Sequence, residues 1–173
     1  LVIAGITMTG LASKFAHVVY GITDAQLFPT LLIAAGLTTL LGMGMPTPSA
    51  YILAAALTAP MVVNLGVSVM ATHMFILYYA VMSAITPPVA VAAFAAAPLA
   101  NDNPLYIAAL ACKFSLAAFV VPFVFVYSPA LLLEGPWYDT LITMTTAVIG
   151  LIMLSAAIES FLFRPLLTWQ RIG

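Results

Sequence analysis

Residues 27–70 form an apolar segment that contains no aspartate, glutamate, lysine or arginine. In the whole chain, 5% of the residues are charged and 65% are hydrophobic, whereas about 25% of the residues of an ordinary soluble domain are charged. A soluble fold of this size cannot cover its surface with so few charges. Apolar stretches of about 20 residues, the length that crosses a bilayer as a helix, recur along the sequence. The sequence therefore predicts an integral membrane protein.

The apolar stretches favour helices over a membrane barrel. In lipid the backbone must satisfy its own polar groups, so the alternatives are α-helices and closed β-barrels. The runs of Ala, Leu, Val, Ile and Met do not alternate with a period of two, as barrel strands do. We therefore predict an all-α polytopic membrane protein. The net charge of −1 offers no basic patch for nucleic acid, and a single cysteine, Cys112, cannot form a disulfide framework.

The predicted organisation divides the chain at residue 133. Residues 134–173 are interpreted as an additional transmembrane helix followed by an interfacial tail. The first five residues show no positively charged signal-peptide region, and we expect the chain to begin inside a longer protein. The elements predicted before the division are a helix up to about residue 19, a re-entrant hairpin at about 27–70, a broken helix at about 72–99 and a helix at about 104–133.

Two interruptions fall inside apolar segments. Residues 42–49 are rich in Gly and Pro and carry no charge, and the arm 31–41 before them corresponds to roughly 16 Å of helix, about half a bilayer. We therefore interpret 27–70 as a hairpin whose tip lies at membrane depth; the alternative is two ordinary helices joined by an apolar turn. Pro87 and Pro88 interrupt the segment 72–99, for which the alternative is a simple proline kink.

These prolines predict oxygen ligands for a cation. A proline lacks an N–H group, so the carbonyl four residues earlier loses its helical partner. Such carbonyls and the neighbouring hydroxyl groups are suited to a hard cation such as sodium, and discontinuous helices build the sites of secondary transporters in this way. The predicted cation ligands are Gly42, Gly44, Thr47, Ser83, Ala84 and Thr86.

The interruptions also resemble a known family. The motifs GMGMPT at 42–47 and ITPPV at 85–89, with FVVPF at 119–123 and FVYSPAL at 125–131, are similar to the large membrane subunit of tripartite ATP-independent periplasmic (TRAP) transporters. The closest likeness is to the fused permeases that work with a TAXI-type periplasmic solute-binding protein. The resemblance covers nearly the whole chain.

This resemblance implies an elevator-type transporter of the bacterial inner membrane, built from two inverted repeats, of which this chain holds the second. It implies sodium-driven import of a small organic anion delivered by the periplasmic protein, together with a small membrane subunit or its fused equivalent. Sodium is then the coupling ion, and no other cofactor is expected. Residues 42–47 become the hairpin tip and 83–89 the unwound helix. The implied substrate-binding residues are Pro46, Thr47, Ser49, Thr86, Pro87 and Pro88.

Two further ionisable side chains lie in or beside the apolar segments. Lys113 lies within an apolar segment, where a cation is a functional candidate facing a carboxylate; the alternative is that its long side chain reaches the membrane surface. His73 lies at a predicted water boundary, which favours a solvated position over a proton relay. The sequence lacks a catalytic Ser-His pair, a metal-ligand His/Glu cluster and a phosphate-binding loop, so an enzyme is not expected. The alternative function is a non-transporting structural or assembly subunit, which predicts helices continuous through Pro48 and Pro87.

Overall fold

The computed structural model describes residue 5, residues 8–133 and 136–159, and the backbone of 161–162 and 164–165. The beginning of the predicted first helix and the tail from 166 onwards, with Trp169 and Arg171, lie outside the described residues. Within them the fold is helical, apart from two paired antiparallel strands, Phe161–Leu162 and Arg164–Pro165. The helices are α1 (Leu11–Thr23), α2 (Leu27–Gly42), α3 (Thr47–Val63), α4 (Val69–Met82), α5 (Val91–Ala100), α6 (Pro104–Phe114), α7 (Leu116–Tyr127) and α8 (Trp137–Glu159), with a 3-10 helix at Pro129–Leu132.

Helices α2 and α3 form a helical hairpin, and α4 packs against both of its arms. The chain reverses at 43–46, where Gly44 has a φ of 78° that glycine adopts without steric cost. Pro48 then lies in the first turn of α3, where its missing N–H costs nothing. The first arm has 16 residues, about 24 Å of helix, and is longer than the predicted arm 31–41. It begins at Leu27, which puts Pro29 in the first turn, where a proline is tolerated.

The helix break lies at 83–90, between α4 and α5. The chain forms successive tight turns there, in which the N–H of Ile85 donates to the Met82 carbonyl (3.2 Å) and that of Thr86 to the Ser83 carbonyl (3.3 Å). Pro87 and Pro88, joined by a cis peptide bond, have no N–H with which to continue the helix. Helices continuous through Pro48 and Pro87, expected for a purely structural subunit, are therefore wrong for this chain.

The segment predicted as one helix over about 104–133 consists of two helices and a 3-10 turn. Helices α6 and α7 meet at an angle of 46°, because Ser115, with ψ of 3°, leaves the helical region. Helix α7 ends at Tyr127, since Pro129 disfavours helical backbone at the residue before it, and Ser128 is extended, with φ of −134°.

Alanines and aromatic rings fill the core between these helices. Small residues allow membrane helices to approach closely, and α2, α3 and α4 contribute fully buried alanines such as Ala34, Ala54 and Ala71. The rings of Phe75 and Phe123 pack edge to face, with centroids 5.4 Å apart. Two tyrosine hydroxyls also join helices across the core. Tyr20 donates to the Met61 carbonyl and Tyr79 to the Phe119 carbonyl, each at 2.6 Å.

One described helix is long and apolar enough to cross a membrane by itself. It comprises Trp137–Ile158 in α8, 22 residues, or about 33 Å. The bent pair α6 and α7 passes the same test when the two helices are taken together. Helices α2, α3, α4 and α5 are apolar but have only 10–17 residues. The number of membrane crossings therefore stays a prediction.

Candidate solute and cation site

The hairpin tip, residues 43–46, lies against the helix break, residues 83–90. Gly42, the last residue of α2, faces Ser83 so closely that an added Cβ would clash with Ser83 Oγ and lie 2.8 Å from Ser83 Cβ. At the tip itself, a Cβ on Gly44 would lie 3.4 Å from Cγ1 of Val89. The fold thus brings together the two interruptions that the sequence analysis singled out.

The predicted carbonyl ligands accept hydrogen bonds from turns rather than from a regular helix. The Gly42 carbonyl accepts from the N–H of Met45 (3.2 Å), and the Ser83 carbonyl from that of Thr86 (3.3 Å). The Ala84 carbonyl accepts from Ala92 across the break (3.0 Å). A carbonyl oxygen has two lone pairs, so each of these three keeps one for a ligand. These turn bonds were not predicted from the sequence, because they depend on how the chain folds back at each interruption.

The hydroxyls of the break are anchored in the same manner. Ser83 Oγ donates to the Ala80 carbonyl (2.7 Å), and Thr86 Oγ1 donates to the Met82 carbonyl (2.8 Å). Both oxygens retain lone pairs with which to bind a cation. The site has a buried base, formed by Gly42 and Ser83, and a more open face. On that face Gly44, Pro46, Ser49 and Pro88 are exposed, while Thr47, Ala84, Thr86 and Pro87 are half-buried.

Helix α6 also contacts the helix break. The thiol of Cys112 donates to the Ile85 carbonyl at 3.4 Å, and Ala108 packs with Ala90 and Ala93 in a small apolar cluster. Lys113 follows Cys112 in the last turn of α6 and is exposed. Its role in binding stays a prediction.

Two features outside the interruptions were not predicted from the sequence. His73 lies inside α4, half-buried, and its Nδ1 is hydrogen-bonded to the Tyr51 hydroxyl of α3 at 2.8 Å. It thus lies one turn inside the helix and not at its first residue, and its role at the water boundary stays a prediction. Thr38, on α2, is fully buried, and its hydroxyl has no hydrogen-bond partner among the described residues. The spacing of four residues between Thr38 and Gly42 was the available signal, because it puts both on one helix face.

Other surface features lie apart from the tip and the break. An apolar groove of about 330 Å³ is lined by α4 residues from Met74 to Met82. A more polar groove of about 500 Å³ surrounds the loop between α5 and α6, including Asp102. In the part of the chain that the structure describes, no three His, Cys, Asp or Glu side chains lie together as they do around a metal ion. The tip and the break are thus the best-supported place for a site built from backbone and hydroxyl oxygens.

One protein-family model matches most of this sequence. The sequence model described as tripartite ATP-independent periplasmic transporter, DctM component, matches residues 1–135. The chain belongs to the DctM family. DctM is the large integral membrane component of TRAP transporters, which act with a periplasmic binding protein and a small membrane subunit, and it is not an enzyme family. The resemblance to the large membrane subunit of TRAP transporters is thus confirmed, and the closer likeness to the fused TAXI-type permeases stays a prediction. None of the curated proteins or solved structures compared with this DctM chain matches it.

Proposed function

We propose that this DctM chain carries the second-repeat half of a sodium-coupled permease that imports a small organic anion across the bacterial inner membrane. In this proposal a TAXI-type periplasmic protein delivers the anion, and a small membrane subunit or its fused equivalent completes the complex. The permease is multi-pass and works by an elevator movement. Sodium travels with the solute as the coupling ion, and no resident cofactor takes part.

The observation that carries this proposal is the contact between the hairpin tip and the helix break. Non-helical backbone inside a membrane protein is tolerated only where it is buried in protein or lines a water-filled cavity. Here two such segments lie side by side, with Gly42 against Ser83 and Gly44 beside Val89. Discontinuous helices meeting in this way form the substrate and ion sites of secondary transporters.

The helix lengths support the re-entrant arrangement of the hairpin. Helices α2 and α3 have 16 and 17 residues, about 24 and 26 Å, which is less than the ~30 Å thickness of a hydrocarbon core. A hairpin of this length that enters from one side places its tip within the membrane. The open face of the tip and break would then be turned toward the solute pathway.

In this proposal the coupling cation and the organic anion bind at different depths of the site. The coupling cation binds at the buried base and its rim, through oxygen atoms of Gly42, Gly44, Thr47, Ser83, Ala84 and Thr86. The organic anion binds above it on the more open face, against Pro46, Thr47, Ser49, Thr86, Pro87 and Pro88. A cation between the protein oxygens and the solute carboxylate favours binding of both, which is the physical basis of coupling.

The test compares two glycines that share a positive φ but lie in different places. Gly44 (φ 78°) lies at the tip, whereas Gly66 (φ 90°) lies in the turn after α3 with nothing within 4 Å of an added Cβ. Replacing either by alanine costs roughly 1–2 kcal/mol of backbone strain. The full-length permease, its small subunit and its binding protein are reconstituted in liposomes. Uptake of a radiolabelled organic acid that the binding protein binds is then measured against external sodium.

We expect sodium-dependent uptake in the wild type, a marked loss of uptake and of sodium affinity in Gly44→Ala, and little change in Gly66→Ala. Uptake by the wild type that does not respond to a sodium gradient contradicts sodium coupling. Equal behaviour of the two alanine variants contradicts the assignment of the site to the hairpin tip.

A further inference from the structure

Thr38 is a buried polar side chain whose hydroxyl is not paired within its own helix. Its exposed fraction is 0%, and its hydroxyl finds no hydrogen-bond partner among the described residues. An unsatisfied buried hydroxyl destabilises a fold, and buried polar groups in native structures are nearly always paired with protein or with a bound species. The hydroxyl of Thr38 therefore requires a partner that the described residues do not supply.

Two other helical threonines, Thr39 and Thr58, satisfy their hydroxyls on their own helix. Thr39, the next residue, donates to the Ala35 carbonyl at 2.9 Å. Thr58 of α3 is as fully buried as Thr38 and donates to the Ala54 carbonyl at 2.8 Å. This bond to the carbonyl four residues earlier is the usual solution for a threonine in a helix. Thr38 does not make it, so its hydroxyl is left available to something else.

The position of Thr38 places that hydroxyl directly below the hairpin tip. Thr38 precedes Gly42 by four residues, so the two share a face of α2 with their Cβ positions about 5–6 Å apart. Ser83 Oγ lies against Gly42, where a Cβ would be. Thr38 therefore lies one helical turn before the contact of Gly42 with Ser83, on the same face of α2.

We infer that the Thr38 hydroxyl is an additional ligand of the coupling cation, at the floor of the site and beneath Ser83. This inference rests on the proposed sodium coupling and adds a residue from the helical arm, outside both interruptions. Thr72 also lacks a hydrogen-bond partner among the described residues. It precedes Ser83 by 11 residues, about 16 Å along the helix, and is therefore too far away to belong to the same ion.

The experiment measures sodium binding without any solute. The full-length permease in detergent is melted in increasing sodium chloride, with choline chloride keeping the ionic strength constant, and the stabilisation gives a half-saturating sodium concentration. Thr38→Val removes the hydroxyl and keeps the shape. Thr58→Val is the matched control, because it also removes a fully buried threonine hydroxyl, but one that is already paired within its helix.

We expect Thr38→Val to raise the half-saturating sodium concentration about tenfold or more, as for the loss of a bond to a charged group. Thr38→Ser, which retains the hydroxyl, stays within about threefold of the wild type, and Thr58→Val keeps the wild-type value. If Thr38→Val does not fold, Thr38→Ala against Thr38→Ser provides the same comparison of a side chain with and without its oxygen.

Two negative outcomes are distinguishable. If sodium stabilises the wild type and Thr38→Val keeps the wild-type half-saturating sodium concentration, the hydroxyl is not a ligand. A gain in the stability of Thr38→Val at every sodium concentration would identify the wild-type hydroxyl as an unsatisfied or water-bound group. That result overturns this inference alone. If choline and sodium act alike on the wild type, the proposed sodium coupling fails and the assignment of Thr38 fails with it.

Discussion

Replacing Gly42 by alanine tests how tightly the hairpin and the broken helix pack together. An added Cβ would clash with Ser83 Oγ and lie 2.8 Å from Ser83 Cβ, with Ala50 Cβ at 3.5 Å. Real Cβ atoms do not approach neighbours this closely, so the tip or the break must move. Overpacking of this kind costs about 1–3 kcal/mol, while alanine in a helix gains up to about 1 kcal/mol over glycine.

Gly36 is the matched control for this prediction. It lies in the same helix, α2, and nothing lies within 4 Å of an added Cβ. Gly36→Ala should therefore stabilise the protein by about 0.5–1 kcal/mol through helix propensity alone. The difference between the two variants isolates the clash, and we expect Gly42→Ala to be about 1–3 kcal/mol less stable than Gly36→Ala.

The assay is denaturant unfolding of the full-length permease in mixed micelles, with helix content as the signal. The double variant of Gly42→Ala and Ser83→Gly removes both clashing atoms, and we expect it to recover much of the lost stability. Equal stability of Gly42→Ala and Gly36→Ala would show that the tip does not rest on the break. Failure of Ser83→Gly to restore stability would show that the strain arises elsewhere.

The remaining predictions concern the core and the open face. Tyr79→Phe removes the 2.6 Å bond to the Phe119 carbonyl, so unfolding should become easier by about 0.5–1.5 kcal/mol. Tyr106→Phe, at an exposed tyrosine, should change the same melting curve little. Cysteines introduced at Thr47 and Thr86, both half-buried at the site, should react with a water-soluble maleimide in a Cys112→Ala background. Sodium plus solute should protect them from this reaction. Thiols that never react would contradict a water-reachable site.

The sequence predicted the helix break at Pro87 and Pro88 because neither proline has an N–H with which to continue a helix. A single proline does not decide this, since Pro60, Pro98 and Pro122 each lie inside a helix, whereas two adjacent prolines remove two successive helical hydrogen bonds. The reversal at Gly44 follows from the same kind of local chemistry, since glycine adopts its φ of 78° without steric cost. The absence of charge along 27–70 required an apolar environment.

The sequence did not predict the details that depend on neighbours. The bend at Ser115 leaves no clear sequence signal, because serine is accepted in helices and in turns alike. The bond between Tyr51 and His73 joins α3 and α4, and only the packing of these helices brings the two rings together.

By itself, the sequence determined the helical class of this DctM chain and the interruptions at the hairpin tip and at Pro87 and Pro88. These are local consequences of hydrophobicity and of missing N–H groups. Only the tertiary structure decided that the two interruptions touch, and that Gly42 rests on Ser83 while Thr38 is buried one turn below. Such contacts depend on which helix faces meet, and helix faces that are apolar all round do not specify their neighbours until the chain is packed.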